Sequence, residues 1–347
     1  MSERMRIGID ARKIADYGIG TYIRGLLRGL VGLGGDDEYV AFAPAGAEVP
    51  ARIEHVAVDA PHYSIRELIV IGRAAKRAGV ELLHAPHYVV PFTSLPLVVT
   101  IHDLIHLHQP MRNPLAPLYA RTMLRRAVRN ARCVLTVSDA VKRELETELG
   151  AREVIVTPNG IDAIEPRTDG DGTTFLYVGN DKPHKNVEAL VAAFVLVRGQ
   201  RPDLTLTLAG ASFERFRSID GVVTPGFVGD DELVRLYRSA LALVMPSHEE
   251  GFGLPAAEAM AHGTAVITSQ AAALVEITGD AALHVDANDP RALADAMLRV
   301  ADDRELRETL GMSGIDRAQL FTWSRCAELT RSAYRTALRR GTSWNVG

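Results

Sequence analysis

Cysteine is almost missing from this chain: among 347 residues only Cys133 and Cys326 occur. Two distant cysteines make no disulfide framework, and without a CxxC pair they offer no zinc site. Long apolar runs are missing too, since no segment approaches the ~20 residues that cross a bilayer. The opening "MSERMRIGID" lacks the apolar core of a signal peptide and runs straight into a strand pattern. There is no basic excess: 39 Lys and Arg against 43 Asp and Glu leave a net charge of −4. That balance argues against nucleic acid as the main partner. A full dinucleotide fingerprint is also lacking, because Gly18 and Gly20 begin a GxG but the next glycine is Gly25. These absences predict a cytoplasmic chain that binds no nucleic acid.

What is present is the pattern of an α/β protein. Apolar content of 47% with 24% charge suits a well-packed interior, and the length exceeds one ordinary core, so two domains are expected. Short apolar runs at 6–10, 39–44, 82–86, 97–103, 133–138 and 154–160 alternate with helical stretches such as 19–33 and 116–131. The segment 161–174, rich in Gly, Asp and Pro, breaks the rhythm and reads as a linker. A second series follows, with strands at 174–180, 204–210, 221–227, 240–247, 264–269 and 281–286, and helices at 186–199, 231–240 and 254–263. The expectation is two Rossmann-like, doubly wound parallel-sheet domains facing across a cleft. In such sheets ligands gather at the carboxyl ends of strands near the switch point.

The stretch "EEGFGLPAAEAMAHG" (249–263) leaves the strand "LALVMPS" at its carboxyl end. Pro255 suits the first turn of a helix. Gly251 and Gly253 bare the backbone N–H groups beside that helix end, where the dipole favours phosphate or sugar hydroxyls. Glu250 stands before this nest and Glu258 about one turn inside the helix, placed to accept the hydroxyls of a ribose. Alternatively the acids only stabilise the helix start by ~0.3–1 kcal/mol. In "YVGNDKPHKNVEAL" (177–190) a strand again meets a polar loop, where Lys182, His184 and Lys185 gather positive charge and Asn186 can cap the next helix. Such cations can stabilise a departing diphosphate without acid catalysis; a solvated basic loop is the alternative.

With its two glutamates eight apart, "EEGFGLPAAEAMAHGTAVITS" closely resembles the E-x7-E signature of retaining glycosyltransferases of family four, which have the GT-B fold. The stretches 136–150, 154–162 and 226–237 read as motifs of the same family in order, so the resemblance covers residues 7 to about 338. It implies that Glu250 with the amides of Gly251, Phe252 and Gly253 holds the donor sugar, that Glu258 holds the ribose, and that Leu254 also lies in the donor site. It further implies that Lys185 meets the diphosphate. The family usually carries an arginine where this chain has Asn180, which leaves the diphosphate one cation short unless Lys182 or His184 supplies it. Gly20, in "DYGIGTYIRGLLRGL" (16–30), stands where the family's glycine loop approaches the diphosphate, and Val228 would lie near the base. His102, in "VVTIHDLIHLHQP" (98–110), matches a histidine near the reaction centre, with Asp103 beside it on the acceptor side either to orient it or to make a turn. His84 and His87, at the end of the preceding strand, are expected on the acceptor side.

By this resemblance the domains are 1–163 with the terminal helix 325–347, and 164–324 for the donor. The implied reaction moves a hexose from a nucleotide diphosphate sugar, GDP-mannose or a UDP-hexose, to a saccharide or lipid-linked acceptor. No residue reads as an enzymatic nucleophile or essential base, so front-side attack with retention is expected, without a cofactor or metal. "DGD" (169–171) reads as a turn rather than a metal clamp, and the neighbouring His106 and His108 as ordinary loop residues. A sugar-nucleotide epimerase of the same architecture and a non-catalytic nucleotide-sugar-binding protein are the alternatives. Arg121, Arg125 and Arg129 recur every fourth residue, forming either a solvated helix face or a stripe for anionic lipid at the inner face of a membrane.

Overall fold

The computed structural model describes residues 4–59, 65–108, 116–162 and 172–339. Most of the expected linker, including Asp169–Asp171, lies outside these. The chain divides into two compact units, Met1–Gly160 with Thr322–Gly347, and Ile161–Phe321.

The first unit runs β1 (Arg6–Asp10), α1 (Ile19–Gly32), β2 (Glu38–Ala43), β3 (Glu54–Ala57), α2 (Ile65–Arg77), β4 (Leu82–Ala85), β5 (Leu97–Ile101), α3 (Ile105–His108), α4 (Ala116–Asn130), β6 (Cys133–Thr136), α5 (Asp139–Leu149) and β7 (Val154–Val156). The second runs β8 (Thr174–Asn180), α6 (Val187–Gln200), β9 (Thr205–Ala211), β10 (Val222–Gly226), α7 (Asp230–Ser239), β11 (Ala242–Met245), α8 (Leu254–Ala261), β12 (Ala265–Ser269), α9 (Ala272–Thr278), β13 (Ala282–Val285), α10 (Pro290–Asp302) and α11 (Arg304–Ala318). A last helix, α12 (Trp323–Arg339), belongs to the first unit.

Both sheets are parallel and doubly wound, as the alternation of elements predicts. Their orders are β3-β2-β1-β4-β5-β6-β7 and β10-β9-β8-β11-β12-β13. In each, the second and third strands lie on one side of the first, and the third crossover places the fourth strand on its other side. The switch points therefore fall between β1 and β4, and between β8 and β11. β3, absent from the sequence expectation, is the edge strand "EHVA"; three of its four residues are exposed, so it carries no apolar alternation.

Central strands are buried on both faces, which is why they read as unbroken apolar runs. Phe175, Tyr177, Phe194, Leu206, Leu208 and Met297 fill the second unit's core, each large side chain contributing about 1.5–3 kcal/mol by burial. In the first unit α12 packs onto α1. A Cβ at Gly25 would run into the Trp323 ring, and one at Gly29 into the Trp323 carbonyl, so glycine permits this close crossing. Helix ends are set by side chains: Ser138 Oγ accepts from the Val141 amide at 3.2 Å, and Asp303 Oδ1 from Leu306 at 2.9 Å.

Candidate functional site

At the switch point of the second sheet, the loops after β8 and β11 are laced together. The His248 amide donates to the His184 carbonyl at 2.7 Å. Asn186 Nδ2 donates to the carbonyls of Pro246 at 3.2 Å and Ala287 at 2.7 Å. Asn186 thus heads α6 in a left-handed conformation (φ 55°) but makes no side-chain cap; its amide is spent on joining loops. The lacing brings Lys185 Nζ to 2.7 and 2.8 Å from the two carboxylate oxygens of Glu250. The side chains are 19% and 8% exposed, so this is a half-desolvated ion pair at a strand-end rim.

Beside Glu250 the chain turns into α8 through Gly251, Phe252 and Gly253, all buried. Gly253 has φ 93° and precedes a helix with Pro255 in its first turn. The Phe252 ring is anchored edge-on against Phe321 at 5.4 Å. The amides of Phe252, Gly253 and Leu254 take no hydrogen-bond acceptor among the described residues, so they remain available at the positive end of the helix. Deeper in α8, Glu258 Oε2 accepts from the Tyr237 hydroxyl at 2.7 Å. Burial pushes the Glu258 carboxyl up to about 7; the Tyr237 hydrogen bond opposes this, while Asp162 and Asp230 add to it.

The charge in the 177–190 loop is smaller than its sequence suggests. His184 is buried, and burial with the neighbouring Lys185 lowers its ring to about 4, so it is neutral at pH 7. Lys182 is exposed and is the loop's second cation. Asn180 closes β8; its carbonyl accepts from the Tyr177 hydroxyl at 3.1 Å, and its side-chain Oδ1 is buried without a partner among the described residues. Arg215, which no motif singles out, reaches the same loop and forks onto Asp181 at 2.6 and 2.8 Å and also onto Glu188. Val228 is half-buried after β10, next to the exposed Phe227.

The carboxyl edge of the first sheet carries its own polar cluster. Asp10, fully buried at the end of β1, takes a two-pronged ion pair from Arg12 at 2.8 and 2.6 Å. His87 Nε2 lies 3.2 Å from Asp10 Oδ2. Burial alone would raise the Asp10 carboxyl, but Arg12 and His87 hold it well below the carboxylate range. His102 packs edge-on against Tyr22 at 4.7 Å, its Nε2 lies 3.2 Å from the Pro86 carbonyl, and burial lowers it to about 4.

Three expectations need correction here. His84 is fully buried, and its nitrogens lie 2.7 and 2.8 Å from the Tyr334 and Thr100 hydroxyls, so both are used inside the core and none faces an acceptor. Asp103 does not orient His102 by a hydrogen bond; its Oδ1 accepts from the Ile105 amide at 3.1 Å and starts α3. The Gly20 amide donates to the Asp16 carbonyl at 3.0 Å, and a Cβ at Gly20 would press on the Ile14 carbonyl. Glycine at 20 is therefore required by the turn itself. On α4, Arg125 and Arg129 are exposed while Arg121 is half-buried. Among the described residues no group of three His, Cys, Asp or Glu could hold a metal ion, and no helix is long and apolar enough to cross a membrane.

Comparison with known proteins agrees with this construction. Residues 162–317 match the family model described as "Glycosyl transferases group 1", and residues 17–164 match "Glycosyltransferase Family 4". The chain is 28% identical over 285 residues to the O-antigen chain mannosyltransferase B of Escherichia coli, covering 73% of this chain and 74% of that one. It is 32% identical over 274 residues to an MMP alpha-(1->4)-mannosyltransferase of Mycolicibacterium hassiacum, covering 71% and 66%. Among solved structures, a sucrose-phosphate synthase from Thermosynechococcus elongatus matches with a TM-score of 0.81 and 22% identity over 97% of this chain and all of that one. HepE of Anabaena, solved with UDP and glucose, matches with a TM-score of 0.72 and 16% identity over 96% and 99%. At such identities the structures establish the fold, which is GT-B. The two family models between them span the second sheet with its Lys185–Glu250 loops and every strand of the first sheet after β1, and the chain belongs to the group 1, family four glycosyltransferases.

Proposed function

We propose that this glycosyltransferase moves a hexose from a nucleotide diphosphate sugar to a hydroxyl of a saccharide or lipid-linked acceptor, with retention at the anomeric carbon. The carrying observation is the Lys185–Glu250 pair, 2.7 and 2.8 Å apart, beside the open amides that head α8. Glu250 and the amides of Gly251, Phe252 and Gly253 hold the sugar's hydroxyls. Lys185, with Lys182 and the Leu254 end of α8, meets the diphosphate. Glu258 takes the ribose, and Val228 borders the base.

During transfer the bond from the anomeric carbon to the phosphate oxygen breaks as the acceptor oxygen attacks from the same face. The acceptor's proton passes to the leaving phosphate, so no protein base is required. Catalysis rests on positioning and on stabilising the diphosphate charge. His102, neutral at pH 7, serves as a hydrogen-bonding wall rather than a proton source. The names of the two relatives favour mannose, hence GDP-mannose; UDP-glucose is the competing donor.

A thermal-shift panel of nucleotide sugars, followed by product analysis, tests the reading. The proper donor at a hundred times its Kd stabilises by about 2.7 kcal/mol. Glu250→Ala then lowers kcat by about 10²–10³-fold while the protein stays folded. A flat panel, or undiminished transfer by the variant, would overturn it.

A further inference from the structure

We infer that Tyr237 is a positioning residue for Glu258: its hydroxyl donates to one carboxylate oxygen and so holds in place the ionised carboxylate that accepts from the donor's ribose. The inference rests on the donor-site reading above. Tyr237 stands at the carboxyl end of α7, its side chain 1% exposed and its hydroxyl 2.7 Å from Glu258 Oε2. The residue is clamped by the segment that follows Glu258's own helix. Thr264 Oγ1 donates to the Tyr237 carbonyl at 2.6 Å, and the His262 ring stacks on the tyrosine with centroids 5.7 Å apart and planes 18° from parallel. That segment is bound in turn to α8, through His262 to the Glu258 carbonyl at 3.2 Å and Thr264 to the Ala259 carbonyl at 3.0 Å. The phenol and the carboxylate are therefore parts of one rigid block.

The chemistry follows from counting lone pairs. An ionised carboxylate offers about four acceptor positions, of which Tyr237 uses one and a ribose diol needs two. The phenol remains a donor throughout, because burial and then Glu258 hold its ionisation well above the ordinary tyrosine range. Around Glu258 the packed elements bring little help for a negative charge. From α7 and the segment before β8 come Asp230 and Asp162, both acids. On α11, Gly311 and Gly314 pack against Gly263 and Met260; on α9, Leu274 faces Gly253. The Tyr237 hydrogen bond is thus what favours ionised Glu258 against burial and two acids.

The test is calorimetric binding of UDP-glucose and GDP-mannose, whose diphosphates do not titrate in this range, from pH 5.5 to 9. Wild type, Tyr237→Phe and Glu258→Gln are compared, with melting curves to establish that each is folded. Wild-type affinity for the better ligand falls as pH drops below the Glu258 midpoint at about 7. Tyr237→Phe moves that midpoint up by about one unit, so binding is about fivefold weaker at pH 7 and near wild type at pH 9. Glu258→Gln binds weakly with no pH response in this range. A Tyr237→Phe curve that overlays wild type, or is weaker by one factor at every pH, overturns the positioning role and leaves the donor-site reading intact. If wild type binds neither ligand, the donor-site reading falls, and this inference with it.

Discussion

Removing Lys185 separates a structural from a chemical role for its pair with Glu250. Lys185→Met keeps the length of the side chain and deletes its charge, leaving a carboxylate that is only 8% exposed. Deleting one partner of a fully buried pair costs about 3–5 kcal/mol. Here Lys185 is 19% exposed, so water reaches the gap, and about 2–3 kcal/mol is expected. Glu250→Gln leaves an amide facing an ammonium that can turn toward solvent, and costs about 1–2 kcal/mol. In the double variant Met and Gln leave no stranded charge, so the two losses do not add, and a coupling of at least ~1.5 kcal/mol is expected. The second unit, Ile161–Phe321, contains no tryptophan, so its unfolding is followed by circular dichroism in urea while the fluorescence of Trp323 reports the first. Transfer is measured on the same four proteins. The double variant regains stability without regaining activity. Additive losses would refute the energetic pairing, and recovered transfer in the double variant would show the pair to be structural only.

Acid should weaken the first unit. Burial lowers His84 to about 3 and His102 to about 4, so each is neutral when folded and takes up a proton more readily when unfolded. Their contribution is full above pH 6.5 and is lost as pH falls from 6.5 toward about 4 for His102 and about 3 for His84, at up to about 1.4 kcal/mol per pH unit for each. Glu258, raised to about 7, acts oppositely in the second unit, where its cost grows as pH rises from 4.5 to 7. Fluorescence melts that do not fall between pH 6.5 and 4.5, or that fall equally in a His84→Asn variant, would contradict this. At the α1–α12 crossing, Gly25→Ala forces a methyl against the Trp323 ring and costs about 1–3 kcal/mol. An unchanged fluorescence transition would refute the close contact.

The sequence shows the ends of strands better than it shows who meets there. Both loops of the second unit could be marked as strand exits, because "LYVG" and "LALVM" are apolar runs broken by polar residues. Nothing in the sequence pairs Lys185 with Glu250, which lie 65 residues apart. Histidines mislead more than glutamates. His84 and His87 read alike as polar residues after a strand, yet only the folded chain shows that Tyr334, 250 residues away, claims His84. Tyr237 closes the stretch 226–237 but gives no signal of a role at Glu258, since an aromatic on the apolar face of a helix is ordinarily core.

What recovers these pairings is sheet order, which makes the exits of two strands distant in sequence adjacent in space at the switch. The same rule operates twice. In the second unit β8 lies beside β11, and the loops leaving them join Lys185 to Glu250. In the first unit β1 lies beside β4, and the residues leaving them place His87 3.2 Å from Asp10. Each switch has thus drawn charged or polar side chains from two crossovers into a place where an apolar pair would pack at less cost in desolvation. In the second unit that cost accompanies the proposed donor site. The buried Asp10–Arg12–His87 group shows that the first sheet concentrates polar groups at its switch by the same geometry.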